Sequence, residues 1–195
     1  MNLVVGLGNP GAEYAHTRHN AGWMVLDELE ARGRFGRARR EGPARVREGE
    51  LDGCALVLAR PQTYMNLSGR SGAHLVRVLG VDAQDVVVVH DDIDVPFGRL
   101  RLRRGGSAAG HRGVQSLIDS WRTPGFVRVR VGVGRPPAGD DPIDYVLAPF
   151  GAAERAALPA VLRRAADATM AIVRDGLERA MNDYNREIPP GTQDG

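Results

Sequence analysis

Short apolar runs recur along the chain and predict buried β-strands. The four clearest runs are rich in aliphatic residues and span residues 3–5, 55–59, 86–89 and 127–133. Continuous runs of this length are typical of strands that are covered on both sides. In the last run, Arg128 and Arg130 alternate with valines, which predicts that one face of this strand is polar. Weaker patterns at residues 45–47 and 98–102 predict edge strands.

Helical periodicity fills the intervals between these runs. Trp23, Leu26 and Leu29 share one face of a predicted helix, and Gly33 ends it. Further helices are predicted over residues 67–79, 111–120, 154–174 and 177–185. Strands that alternate with helices indicate an α/β fold. We therefore expect a twisted, mixed and largely parallel central sheet flanked by helices.

Two segments in the C-terminal third of the chain show neither strand nor helix periodicity. Residues 133–142, VGRPPAGDDP, predict a flexible connection because Pro and Gly interrupt regular structure. Residues 188–195 are again rich in Pro and Gly and are predicted to form a disordered tail. The chain of 195 residues contains no internal repeat or dividing linker. We expect one domain over residues 1–187.

Composition excludes several classes of protein. The hydrophobic content of 43% and charged content of 26% are typical of a soluble globular protein. No apolar stretch approaches the roughly 18 residues of a membrane span, and the chain does not begin with the pattern of a secretory signal. A cytoplasmic protein is therefore expected. Cys54 is the single cysteine, so neither a disulfide within the chain nor a cysteine-based zinc site can form.

The basic residues are all arginines, and they are clustered. The formal net charge is only +2, yet arginines crowd residues 32–47 and 99–104. The planar guanidinium is well suited to phosphate. Such clusters are typical of nucleic-acid-binding surfaces, although a solvated basic face gives the same pattern.

Polar residues that could take part in catalysis or binding follow several of the predicted strands. They are Asn9, Tyr14, His19 and Asn20 after the first strand, Tyr64 and Asn66 after the second, Asp91, Asp92 and Asp94 after the third, and His111 and Arg112 after a glycine-rich turn. In open α/β sheets, sites form beyond the carboxyl ends of the strands. We therefore expect these segments to converge on one cleft.

Three kinds of site fit parts of this pattern but fail in context. Gly6, Gly8 and Gly11 have the spacing of a dinucleotide-binding loop, yet Pro10 and the turn that follows do not provide the helix that this loop requires. The carboxylates near Asp91 would point to different sides of a strand, which disfavours a metal site. No G-x-S-x-G motif supplies a serine nucleophile.

General-base catalysis is the remaining chemistry. A histidine beside a carboxylate can activate water, and neutral amides can hold a carbonyl group without adding charge. A lone histidine is more often structural than catalytic. The residues alone therefore leave a catalytic and a structural interpretation of His19 open.

Four segments closely resemble the bacterial-type peptidyl-tRNA hydrolases. They are GLGNPGAEYAHTRHNAG, RPQTYMNLSG, HDDIDVPFG and GGSAAGHRG, in the same order as in that family, and the resemblance runs from Val4 to about Phe150. It implies a monomeric enzyme, without metal or organic cofactor, that hydrolyses the ester between a peptide and the 3′-terminal ribose of tRNA. The main alternative is a non-catalytic RNA-binding relative, and a nucleotide-dependent oxidoreductase is a distant third.

The resemblance also implies roles for individual residues. His19 would be the general base that activates water, and Asp91 would support its protonated form. Asn9 and Asn66 would contact the peptide and the ester, with Asn9 favouring N-blocked substrates.

A second set of residues is expected to bind the acceptor stem and 3′ end of tRNA or to line the cleft. By the same resemblance, this set comprises Tyr14, Tyr64, Met65 and His111. A polyanionic substrate would also give Arg103 and Arg130 a use as phosphate contacts, although Arg130 is equally consistent with an exposed strand residue. Residues 140–150 are a candidate segment to cover the cleft.

One position departs from the family pattern. The family commonly has His-Asn-Gly where this chain has His111-Arg112-Gly113, and that Asn is usually assigned to holding substrate or water. Arg112 donates several hydrogen bonds but accepts none. We therefore expect Arg112 to contact a phosphate or the terminal ribose instead.

Overall fold

The computed structural model describes residues 2–186, and the predicted tail at residues 188–195 lies outside them. Its strands are β1 (Asn2–Gly6), β2 (Arg34–Phe35), β3 (Arg39–Glu41), β4 (Ala44–Leu51), β5 (Cys54–Pro61), β6 (Val87–Asp92), β7 (Leu100–Arg104) and β8 (Val127–Gly132). Its α-helices are α1 (Ala21–Arg32), α2 (Ser68–Leu79), α3 (Arg112–Trp121), α4 (Pro142–Leu147), α5 (Ala152–Asp175) and α6 (Leu177–Tyr184). None of these described helices is long and apolar enough to span a membrane.

All the described strands belong to one sheet, in the order β2-β4-β5-β1-β6-β8-β7, with β3 paired to β4. The central strands β5, β1, β6 and β8 are parallel to one another. Strands β4 and β7 join this parallel core in antiparallel orientation, one on each side. The predicted α/β class with a mixed, largely parallel sheet is confirmed.

Helices cover both faces of the sheet, which explains the continuous apolar runs. Val4 belongs to one buried cluster, which includes residues of α1 and α5. Leu3 and Val5 belong to a second cluster, which includes residues of α2 and α3. Because successive strand residues point to opposite faces, a central strand needs apolar side chains at every position.

The face of the last strand that was predicted to be polar carries Arg128 and Arg130, but Arg128 is not exposed to solvent. Arg128 on β8 is only 2% exposed. Its guanidinium donates to the backbone carbonyls of Gly106, Ser107 and Pro124, at 2.7, 2.7 and 3.3 Å, and lies over the Phe126 ring. Burial and two neighbouring arginines lower the pKa of Arg128 to about 10. Two loops, at residues 106–107 and 124, thus supply the hydrogen-bond acceptors that water would supply on an open face.

One further sequence prediction needs correction, and one helix was not predicted. The strand predicted at residues 45–47 is not an edge strand, because β4 pairs with β5 on one side and with β2 and β3 on the other. The connection predicted at residues 133–142 leads into α4, which periodicity did not reveal. Asp141 caps this helix by accepting a hydrogen bond from the Ile143 N–H at 2.6 Å.

A glycine lets α1 approach the sheet closely. A Cβ atom on Gly22 would lie 2.4 Å from the Val89 carbonyl oxygen and 2.6 Å from that of Leu7. These neighbours are backbone atoms of the sheet region and cannot rotate away. The absence of a side chain at Gly22 therefore sets the position of α1 and of the turn that precedes it.

We expect Gly22→Ala to lower the free energy of unfolding by about 2 kcal/mol or more, because the new methyl group overpacks a backbone contact. Urea denaturation measures this change. Gly36→Ala is the matched control, since its Cβ would meet only the Glu48 carbonyl oxygen, at 3.6 Å. We expect the control to stay within about 0.5 kcal/mol of the unmodified chain. Equal stabilities of the two variants would contradict the close-approach argument.

Candidate active site

The carboxyl ends of the parallel strands open into a cavity of about 500 Å³. The sequence-predicted residues that line it are Asn9, Tyr14, His19, Tyr64, Met65, Asn66, Asp91, His111 and Arg112. Arg103 and Arg130 do not line it. The segments after β1, β5 and β6 and the turn before α3 therefore meet in one cleft, as their positions in the sequence indicated.

A buried histidine–carboxylate pair lies at the base of the cleft. The His19 Nδ1 atom is 2.9 and 3.0 Å from the two carboxylate oxygens of Asp91. His19 lies in the short 3-10 turn Arg18–Asn20 that precedes α1, and Asp91 lies near the end of β6. An ionised carboxylate only accepts hydrogen bonds, so Nδ1 carries the hydrogen. The lone pair of a neutral His19 is then on Nε2.

A second histidine binds the same carboxylate. The His111 Nε2 atom is 3.0 Å from Asp91 Oδ1. His111 also caps α3, because its Nδ1 accepts hydrogen bonds from the N–H groups of Gly113 and Val114, both at 3.2 Å. The cap fixes the tautomer: Nδ1 accepts from the backbone, and Nε2–H donates to Asp91.

The two imidazoles keep Asp91 ionised. Burial by itself raises the pKa of Asp91, but the nearby His19 and His111 lower it far below its ordinary value. For His19, burial lowers the pKa, and the charge and hydrogen bond of Asp91 raise it by more. The net pKa of His19 is therefore above its ordinary value, although the positive charge of Arg112 opposes the rise.

A third histidine supports the cluster from the core. The His90 ring packs edge-on against His111, with centroids 4.8 Å apart, and its Nδ1–H donates to the Asp91 carbonyl oxygen at 2.7 Å. Burial and the proximity of His111 lower the pKa of His90 well below its ordinary value. His90 therefore remains neutral when other histidines gain a proton.

An amide pair fixes the orientation of Asn9. The Asn20 side chain accepts from the Asn9 N–H at 2.8 Å and donates to the Asn9 carbonyl oxygen at 3.0 Å. The side-chain oxygen of Asn9 accepts from the Met65 N–H at 2.7 Å. With its oxygen engaged, Asn9 offers its Nδ2 hydrogens as the remaining donors in the cleft.

The donor set fits a hydrogen-bonded triad better than a metal centre. His19, Asp91 and His111 have ligand atoms within 4.8 Å of one another, which is close enough for a shared cation. A histidine nitrogen binds a metal through its lone pair, however, and His111 Nε2 carries a hydrogen while Nδ1 caps α3. Metal binding through Nε2 would require the opposite tautomer and would disrupt the cap.

Aromatic and basic side chains occupy the rest of the predicted site. The Tyr14 and Tyr64 rings meet edge to face with centroids 6.5 Å apart, and Tyr64 is 59% exposed. Arg112 is exposed, and its guanidinium makes no hydrogen bond or ion pair within residues 2–186. Its guanidinium is therefore available to an anion.

The two arginines outside the cavity differ in environment. Arg130 Nε donates to Asp92 Oδ2 at 2.6 Å, and Asp92 lines the cleft. Arg103 on β7 lies opposite Arg128 in the ladder and is exposed. The charge of Arg130 is thus partly neutralised by Asp92, whereas Arg103 presents its charge to solvent.

Residues 140–150, which the sequence offered as a segment to cover the cleft, supply most of one apolar wall, although no helix was predicted there. This wall is formed by residues Ile93, Pro142, Ile143, Val146 and Leu147. The Asp141-Pro142 pair is a helix-start signal and could have predicted α4. Asn20 was recognised as a polar residue after the first strand, but only the folded chain reveals its contacts with Asn9.

The chain matches the family model described as peptidyl-tRNA hydrolase over residues 3–191. It belongs to the peptidyl-tRNA hydrolase family. It is 48% identical over 182 residues to the peptidyl-tRNA hydrolase of Nocardia farcinica, covering 92% of this chain and 94% of the relative. It is also 48% identical over 185 residues to that of Geobacter metallireducens, covering 95% of both chains.

A solved peptidyl-tRNA hydrolase has the same fold. The crystal structure from Acinetobacter baumannii superposes with a TM-score of 0.87 at 30% sequence identity, covering 95% of this chain and 94% of that one. The resemblance to the peptidyl-tRNA hydrolases, which the four sequence segments indicated, is thus confirmed.

We expect His90 to make the protein less stable in mild acid. Below pH 6.5, the ordinary histidine pKa, the unfolded chain gains a proton at His90 that the folded chain does not. As pH decreases below this value, His90 should therefore lower the free energy of unfolding by up to about 1.4 kcal/mol per pH unit. The pKa of His19 is raised, so its contribution is fully present below pH 6.5 and is lost only as pH rises through its folded pKa.

Urea denaturation of His90→Asn between pH 6.5 and about pH 5 tests this prediction. Asparagine can keep a donor near the position of Nδ1 but does not titrate, so the slope of stability against pH should become flatter. The exposed His16 provides the control His16→Asn, which should leave the slope unchanged. A slope that His90→Asn does not alter would be inconsistent with a buried neutral His90.

Proposed function

We propose that this chain hydrolyses the ester between the peptide and the 3′-terminal ribose of peptidyl-tRNA, with His19 as general base. The observation that carries this proposal is the contact of His19 Nδ1 with both oxygens of buried Asp91. It leaves the Nε2 lone pair for a proton in a cleft that also contains amide donors and aromatic rings. We further propose that the protein acts as a monomer in the cytoplasm.

The reaction proceeds by attack of an activated water molecule. His19 Nε2 takes one proton from water while the water oxygen bonds to the ester carbonyl carbon, forming a tetrahedral intermediate. Asp91 stabilises the imidazolium that results. The bond from this carbon to the ribose 3′ oxygen then breaks, and the leaving oxygen takes the proton from Nε2. The new carboxylic acid loses the second water proton to solvent, and free tRNA and a peptide with a carboxylate are released.

Asn9 is suited to hold the peptide during this step. Its side-chain oxygen is bound to the Met65 N–H, so its Nδ2 group faces acceptors such as a peptide or ester carbonyl. Asn66 lines the same cavity and offers a second neutral amide. Neither adds a charge that would compete with the imidazolium.

The tRNA body is proposed to bind through phosphate contacts. Arg103 is the stronger candidate of the two arginines outside the cleft, because Arg130 already pairs with Asp92. Tyr14 and Tyr64 line the cleft with their rings edge to face, and they would stack on bases of the 3′ end. Phosphate contacts and stacking are largely independent of sequence, which suits an enzyme that accepts many different tRNAs.

We expect Asp91→Asn to lower kcat by roughly 10²–10⁴ and to shift its pH profile. In the unmodified enzyme, activity should rise as pH increases through the raised pKa of His19, since only neutral imidazole accepts a proton. Without the Asp91 charge, burial lowers that pKa, so the acid limb should move to lower pH. Hydrolysis of N-acetylated aminoacyl-tRNA at several pH values measures both effects.

His19→Ala provides the baseline for that experiment. It should reduce hydrolysis at least as far as Asp91→Asn does. Full activity of His19→Ala would refute the mechanism. Binding of tRNA without turnover by the unmodified chain would favour the non-catalytic RNA-binding alternative.

We expect Arg112→Asn to weaken substrate binding and to raise the pKa of His19. Loss of the guanidinium removes one proposed phosphate contact, so KM should rise several-fold and depend less steeply on salt. It also removes a positive charge that lowers the His19 pKa, so the acid limb of kcat/KM should move to higher pH.

Arg122→Asn removes the same charge from the other end of α3 and is the matched control. The left-handed backbone at Arg122 tolerates asparagine. If both variants change KM and the pH profile equally, Arg112 acts only through net charge. If neither parameter changes in Arg112→Asn, Arg112 is a bystander.

A further inference from the structure

The proposed mechanism leaves the apolar wall of the cleft without a role. On α4, Ile143, Val146 and Leu147 all line the cavity at the helical spacing of i, i+3 and i+4. Ile143 is 46% exposed although it is aliphatic. Ile93 and Met65 line the same cavity and extend its apolar character. A patch of this kind beside a polar site is suited to an apolar group of the substrate.

The buried side chain of Arg18 binds backbone carbonyls at the end of α4, on which this wall lies. Arg18 is 7% exposed, and its Nη1 atom donates to the carbonyl oxygens of Tyr145, Ala148 and Pro149 at 3.2, 3.3 and 2.8 Å. Tyr145 lies in the last turn of α4, and Ala148 and Pro149 directly follow the helix, so these bonds tie Arg18 to its C-terminal end. Arg18 Nη2 also pairs with Glu154 Oε2 at 2.6 Å.

The same segment carries the general base. Arg18 immediately precedes His19, and its backbone N–H donates to the Ala148 carbonyl oxygen at 3.1 Å. Thr17 forms an antiparallel bridge with Pro149. The 3-10 turn Arg18–Asn20 therefore places the His19 imidazole and the end of α4 in a fixed relation.

We propose that the α4 face binds the side chain of the peptide's C-terminal residue, and that Arg18 is the positioning residue that holds this face beside His19. The inference rests on the proposed function. The ester carbon must lie within reach of a water on His19, and the α-carbon of the C-terminal residue is bonded directly to that ester carbon. Of the groups on that α-carbon, the side chain is the one whose apolar chemistry matches the wall. The lining selects aliphatic or aromatic side chains over glycine.

The wall is tested with one tRNA that carries either N-acetylleucine or N-acetylglycine. In Val146→Ser, kcat/KM for the leucyl substrate should fall about tenfold, whereas the glycyl substrate should change less than about twofold. The exposed Ile143→Ser should show the same preference with little risk to folding. Val78→Ser, an exposed valine on α2, is the matched control and should change neither substrate. Equal losses for the two substrates in both α4 variants would overturn the proposed side-chain site.

The role of Arg18 is tested with Arg18→Lys. Lysine keeps the positive charge but cannot span three carbonyls and Glu154 as the planar guanidinium does. We expect KM for the leucyl substrate to rise about tenfold with kcat within about twofold, and a smaller effect on the glycyl substrate. Arg32→Lys alters another arginine–carboxylate pair, with Asp167, and should leave both substrates unaffected. A uniform loss of kcat for both substrates would show that Arg18 acts on His19 and not on the wall.

The outcomes separate this inference from the proposed function. If the unmodified chain hydrolyses neither substrate, the proposed function fails. If it hydrolyses both and every variant keeps the unmodified ratio of leucyl to glycyl kcat/KM, only the further inference fails. Thermal melting of each variant identifies losses that arise from unfolding.

Discussion

The cleft depends on the satisfaction of one buried carboxylate. Asp91 is 1% exposed and would be costly to ionise without partners. His19 and His111, from two different elements, bind its carboxylate. The backbone carbonyl of Asp91 accepts a further hydrogen bond from His90. The turn before α1, the end of β6 and the start of α3 must therefore meet at this group. The position and tautomer of His19 follow from the convergence of these three elements at Asp91.

The sequence predicted well what depends on local pattern. Leu3, Val4 and Val5 read as a central strand because both faces of that strand are covered. The polar residues after the strands converge because parallel strands end at the same edge of the sheet. The family resemblance rested on long motifs, and these motifs lie at those strand ends. The fold class and most of the cleft lining could thus be anticipated.

What the sequence left hidden depends on contacts between distant segments. Arg128 reads as a surface residue, yet the carbonyls that bury it come from loops at residues 106–107 and 124. Arg18 reads as one more basic residue, although it binds carbonyls more than a hundred positions away. Helix α4 is too short to show a period. In each case the partner, and not the residue type, decides the role.

The fixed amide of Asn9 has a consequence for which molecules the cleft tolerates. Its oxygen is bound to the Met65 N–H, so the cleft presents hydrogens at this position. A peptide's last amide group offers a carbonyl oxygen that can meet them. An aminoacyl-tRNA that still awaits the ribosome carries a free ammonium group there, which has hydrogens but no lone pair. For the proposed reaction, this polarity would spare the charged tRNAs that protein synthesis consumes.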